Sequence, residues 1–165
     1  SGPGARSMWP ASPSTSCTSM ATFNALRRLG AAVLLGALAG APAGAADLVV
    51  IVSARNPVAA LRADQVAAIF LGQSARFPDG TEAVPYDMRL GAALRDEFYA
   101  RVTNKSPALL KAHWSKMVFT GRGQPPAELS DSAAVRRRVA GDPDAIGYIE
   151  RSALDASVHA VLVVQ

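Results

Sequence analysis

Six positions in this chain carry groups suited to holding a small negative ion, and all six fall in loops or at the ends of expected elements. Ser53 and Asn56 follow an apolar run. Arg89 and Gly91 precede an amphipathic one. Thr120 and Arg122 lie in FTGRGQPP, residues 119–126, with two glycines and two prolines. An oxyanion needs N–H and O–H donors rather than bases, and a helix N-terminus near Gly91 beside one arginine suffices chemically for weak binding. Each residue also has an ordinary role. Asn56 with Pro57 makes a turn in which Asn bonds its own backbone, and Ser53 can join it. Arg89 can be a solvated charge or a partner of Asp87, Arg122 a loop charge, and Thr120 a donor to the loop backbone.

Other chemistries find little support. His113 and His159 are the only histidines, and neither has a second ligand at metal-binding spacing. No serine sits in a G-x-S-x-G elbow and no phosphate-binding loop with Lys-Ser/Thr is present. Asp87, Asp96 and Glu97 suggest no acid/base pair. The expectation is a protein without catalytic residues, metal or cofactor. The run Arg136-Arg137-Arg138 reads as a solvated helix face or as a contact for an acidic partner. Trp114 with Phe98 and Met117 reads as core. Tyr86 and Tyr148 suit half-buried positions or the mouth of a cleft.

The elements that must position these groups alternate between strand and helix. Asp47 to Ser53 (DLVVIVS) is a continuous β-branched run, as in a strand buried on both faces of a parallel or mixed sheet. Leu61 to Leu71 predicts a helix with Val66, Ile69 and Phe70 on one face and Gly72 as a left-handed end. Phe77 to Thr81 (FPDGT) is a turn and Ala83 to Tyr86 a short strand. Leu94, Phe98 and Val102 give Gly91 to Val102 a helical period. Ser106-Pro107 opens another helix with an N-cap and Pro at its first position. Asp131 caps a helix carrying Val135 and Val139. Ala145 to Ile149 (AIGYI) and Val158 to Val163 are strands. This order predicts an α/β fold with a mixed sheet and helices on both faces.

Upstream of residue 47 the chain reads as an export leader. Arg27 and Arg28 precede an apolar stretch from Leu29 to Leu38, followed by small residues up to Ala46. That stretch is ten residues long, against ~20 needed to span a bilayer, so no stable membrane insertion is expected. The expected division is 1–19 as a disordered tag or upstream extension, 20–46 as a signal peptide and 47–165 as one α/β domain, periplasmic after cleavage. Three of the 17 Lys and Arg lie upstream of residue 47, leaving 14 against 13 acidic residues. A near-neutral domain argues against nucleic acid as partner. The single cysteine, Cys17, is also upstream, so the domain has neither disulfide nor thiol.

The segments SARNP (53–57), LRADQVAAIFLG (61–72), FPDG (77–80), Trp114 with FTG (119–121) and AIGYI (145–149) occur in the order found in phosphate ABC transporter substrate-binding proteins. The chain resembles a short form of that type II periplasmic-binding protein superfamily. The resemblance implies a fold in which two α/β lobes close on an oxyanion, although members are more than twice this size. It also implies an anion site where a strand followed by Arg-x-Asp-Gly-Ser-Gly-Thr enters a helix. Pro85 to Leu94 (PYDMRLGAAL) takes that place. Asp87 stands for the Arg, Arg89 for the Asp, and Leu90, Gly91, Ala92 and Ala93 for the Gly-Ser-Gly-Thr run, so the hydroxyl donors are gone. Arg89, the helix start near Gly91 and Arg95 remain. The implied function is binding of a small oxyanion, phosphate foremost, for an ABC permease. The alternative is an envelope interaction or signalling module that keeps the fold without the ligand.

Overall fold

The computed structural model describes residues 47–165, so the leader, its cleavage and Cys17 lie outside the described residues. Five strands form one mixed sheet in the order β3-β2-β4-β1-β5. In chain order the elements are β1 (Leu48–Ser53), α1 (Ala63–Phe70), β2 (Val84–Met88), α2 (Ala93–Thr103), α3 (Pro107–Phe119), β3 (Ala127–Leu129), α4 (Ser132–Gly141), β4 (Ala145–Glu150) and β5 (Val158–Val164). β1 runs antiparallel to both β4 and β5, while β2 runs parallel to both β4 and β3.

β1 is β-branched throughout its centre because it has neighbours on both edges and helices on both faces; all six of its residues are buried. β4 shows the two faces directly, since adjacent strand residues point opposite ways. Gly147 faces α4 so closely that a Cβ there would lie 2.5 Å from Val135 Cγ1. Tyr148, its neighbour, stacks on Phe98 of α2 with ring centroids 4.0 Å apart, and lies beside Phe70 of α1.

The helix ends follow their local signals. Ser106 Oγ accepts the Leu109 N–H at 3.4 Å with Pro107 at the first helical position. Asp131 Oδ1 accepts the Ala134 N–H at 2.8 Å. Gly72 takes φ of 67° just past α1, packed against the Trp114 ring. Two elements depart from the sequence expectation. β2 runs on through Asp87 to Met88, because partners on α2 and β4 receive that carboxylate. β3 was not expected at all. It is three residues with no buried position, and it exists because β2 offers it an edge to pair with.

Candidate functional site

The strand register separates the six candidate residues into two groups. Val52 pairs with Ile146, and Val84 at the start of β2 pairs with Ala145. Ser53 therefore stands at the end of the sheet where β2 and β4 begin. Arg89 follows the far end of β2, about 16 Å away at ~3.3 Å per residue. Ser53 and Asn56 do not meet Arg89 and Gly91 in one hollow.

Both are occupied in their own turn. Ser53 Oγ donates to the Ala140 carbonyl at 3.4 Å and accepts the Arg55 N–H at 3.3 Å. Asn56 Nδ2 donates to the Pro143 carbonyl at 2.7 Å, and its Oδ1 accepts the Val58 N–H at 2.8 Å. Both side chains are buried. They tie the end of β1 to the α4–β4 connection, which satisfies buried backbone groups.

Arg89 and Gly91 sit at the start of α2. The Arg89 N–H continues the sheet by donating to the Leu129 carbonyl at 3.0 Å, and its side chain is exposed. Gly91 has φ of 82°, a conformation that suits glycine, and lets the chain turn into the helix. Ala92 is the N-cap and has no side-chain acceptor; the Arg95 N–H donates to the Ala92 carbonyl at 3.0 Å, while the Ala93 and Leu94 N–H groups have no side-chain cap. The Leu90 N–H donates to Glu128 Oε2 at 3.2 Å.

Thr120 and Arg122 follow α3. Thr120 Oγ1 donates back to the Lys116 carbonyl at 2.8 Å, and the Arg122 N–H donates to the Met117 carbonyl at 2.9 Å. The Arg122 side chain is exposed. Leu90, Gly91, Phe119 and Pro125 line one groove; of the six candidates only Gly91 is in its wall, and Arg89, Thr120 and Arg122 lie outside it. Its volume is about 870 Å³, and Arg95, Trp114, Val118 and Glu128 form further parts of its wall.

Beneath that groove lies a cluster that sequence reasoning missed. Asp87 is 1% exposed and receives four donors. Arg95 Nε and the Tyr99 hydroxyl donate to Oδ2 at 2.9 and 2.8 Å. The Tyr148 hydroxyl and the Met88 N–H donate to Oδ1. Four donors and no neighbouring acceptor define a carboxylate. The Asp87 ion pair is thus with Arg95, not with Arg89. Burial works against the Arg95 charge, but Asp87 beside it wins and moves its pKa up. Burial first, and the Asp87 charge second, raise the Tyr99 and Tyr148 hydroxyls far above the ordinary tyrosine value. A tyrosine four residues after an arginine on one helix was a readable signal for part of this cluster. Tyr148, from a distant strand, carried none.

Most of the remaining chemistry-bearing residues have structural partners, although Trp114 Nε1 is buried without one. Each histidine ring meets a carbonyl through Nε2, His113 that of Leu71 at 3.0 Å and His159 that of Val58 at 2.8 Å. Arg136 reaches the Ala153 carbonyl and Asp155, and Arg138 reaches the Tyr86 hydroxyl, so the arginine run is largely engaged. Trp114 is buried, and Tyr148 is fully buried rather than at a cleft mouth. Among the described residues no three His, Cys, Asp or Glu side chains are placed to hold a metal ion, and no helix is long and apolar enough to cross a membrane.

Comparison with solved structures finds this fold elsewhere. A phosphate ABC transporter substrate-binding protein from Clostridium perfringens, solved with bound phosphate, superposes with a TM-score of 0.55 at 27% identity, over 70% of this chain and 44% of that one. An ABC-type phosphate transport receptor from Vibrio cholerae gives 0.56 at 18% identity, over 70% and 45%. PstS from Borrelia burgdorferi gives 0.54 at 12% identity, over 70% and 46%. The described domain has the fold of a phosphate substrate-binding protein lobe. The chain spans less than half the length of these structures. No family model matches it, and no curated protein matches it in sequence.

Proposed function

We propose that this chain is an exported solute-binding protein that holds a small oxyanion, phosphate foremost, at the start of α2, for delivery to an ABC permease. The start of α2, without a side-chain cap, with Gly91 in the groove wall and an exposed Arg89 just before it in the chain, is the observation that carries this reading. Free N–H groups and the positive end of the helix dipole favour an anion there. Gly91 admits it closely. The shared fold supports the class of solute. Asp96 and Glu128 also line the groove and work against an anion, so the expected affinity is modest. The leader expected at 20–46 supports a periplasmic location. Ser53 and Asn56 have no part in this site.

The test is thermal unfolding with phosphate, sulfate and molybdate. A ligand at about 100 times its Kd stabilises the folded state by roughly 2.7 kcal/mol. The melting temperature should rise with phosphate, and Arg89→Ala should remove the rise without lowering the unliganded melting temperature. A flat response to all three anions at millimolar concentration refutes the proposal.

A second reading rests on a separate observation. Leu90, Gly91, Ala92 and Ala93 contribute no side-chain donor, and large apolar side chains border the groove. An envelope interaction or signalling module that keeps the fold and has lost the anion accounts for both. Retention of an envelope protein by the immobilised domain, with no anion response, would select it.

A further inference from the structure

Two donors in the groove wall, each on a buried side chain, lack acceptors. Arg95 is 5% exposed and uses only Nε on Asp87. Its two terminal nitrogens have no hydrogen-bond partner among the described residues. Those nitrogens still reach solvent, because Trp114 Nε1 is the one side-chain nitrogen or oxygen there that is both sealed and unpaired. The surface that Arg95 exposes belongs to the groove. Trp114, 7% exposed, forms part of the same wall. Buried polar groups are nearly always paired, so an unpaired N–H beside a half-used guanidinium calls for an acceptor. A guanidinium held by one edge, with its other nitrogens free, is suited to a phosphoryl or carboxylate oxygen.

Arg95 is the third residue of α2, so it shares the helix start with Gly91, where the oxyanion is proposed to sit. Much of the remaining wall is apolar, with Leu90, Val118, Phe119 and Pro125. A groove of about 870 Å³ falls within the roughly 300–1,000 Å³ of small-molecule sites, which are mostly apolar with a few placed polar groups. An inorganic anion fills only a small part of such a space. Asp96 and Glu128 in the same wall oppose negative charge, so burial of apolar surface has to supply affinity that charge does not. We infer that the ligand is an organic anion, with one phosphoryl head for the Arg95 terminal nitrogens and a ring-sized apolar body against Val118 and Phe119. This inference rests on the oxyanion reading of the α2 start and narrows its class of solute.

The experiment is isothermal titration of the full chain with inorganic phosphate, phenylphosphonate and benzyl alcohol. Phenylphosphonate should bind at least ~10-fold more tightly than phosphate, the gain that burying a ring brings. Benzyl alcohol has the ring without the head and should bind at least ~10-fold more weakly than phenylphosphonate. In a Trp9→Phe chain Trp114 is the sole tryptophan, and its fluorescence should change at the same half-saturation. Arg95→Lys keeps the charge, loses the fork and should weaken both anions by about 10-fold. Phe119→Ser, at a position 92% exposed, should fold normally and weaken phenylphosphonate more than phosphate, so it tests the body contact even where Arg95→Lys unfolds. Phosphate binding with phenylphosphonate no tighter overturns the inference and leaves the oxyanion reading standing. Silence from all three compounds overturns both. Benzyl alcohol binding as tightly as phenylphosphonate, or phenylphosphonate affinity untouched by Phe119→Ser, also overturns the inference.

Discussion

Asp87→Ala removes the acceptor shared by Arg95, Tyr99, Tyr148 and the Met88 N–H. The Arg95 side chain, 6% exposed, would be left as a buried cation without its counter-ion. Two tyrosine hydroxyls would lose their acceptor as well. Removing one member of a buried ion pair costs about 3–5 kcal/mol, and stranded hydroxyls push toward the upper end. Against a typical total of ~5–15 kcal/mol this is a large fraction. For a domain of this size each kcal/mol moves the melting temperature by roughly 4 °C. The expected fall is therefore roughly 12–20 °C, measured by calorimetry or by urea midpoint. Arg95→Met should also destabilise, since it leaves Asp87 with only neutral donors. The double variant should lose less than the sum of the singles by about 2 kcal/mol or more, because the pair acts as one unit. A loss under about 1 kcal/mol for Asp87→Ala, or strict additivity, would show that water reaches the cluster and that the pair is not sealed, which refutes the reasoning.

The same cluster predicts a pH dependence. Tyr99 and Tyr148 have hydroxyls raised in the folded state above the ordinary value of 10.0. Their contribution is fully present below that value and is lost as pH rises past it, by about 1.4 kcal/mol per tyrosine per pH unit. Urea midpoints between pH 8 and 11 should stay level and then drop, and Tyr148→Phe should make the drop shallower. Gly147→Ala should cost about 1–3 kcal/mol through overpacking, since its Cβ would lie 2.5 Å from Val135 Cγ1; Val135→Ala in the same chain should recover part of the loss. Asn56→Ala should lower stability by about 1–3 kcal/mol by stranding the Pro143 carbonyl and the Val58 N–H. Isothermal titration of that variant should show phosphate affinity unchanged from the parent; a loss of affinity would return Asn56 to the site.

Local chemistry made most of the elements legible. The β-branched run of β1, the Ser106-Pro107 and Asp131 helix starts and the Gly72 stop act within a few residues of themselves, so short-range sterics and hydrogen bonding specify them. Buried placement of β1 could be read for the same reason, as five of its six positions are apolar. What a linear reading could not supply is which ends of the strands coincide. Ser53 and Arg89 both follow strands and both carry donors, but β1 runs antiparallel to β4 whereas β2 runs parallel to it, and that pairing puts the two residues at opposite ends of the sheet. The charge of Asp87 likewise suggested a surface position. Tertiary packing decided otherwise, by bringing donors from α2 and from a strand some sixty residues away onto one carboxylate. β3 has no pattern of its own and takes its shape only from the edge of β2. The amino-acid order thus determines the parts and their caps, because those forces are local. Strand direction and burial are decided by the whole sheet, and with them the choice of which loops share a groove.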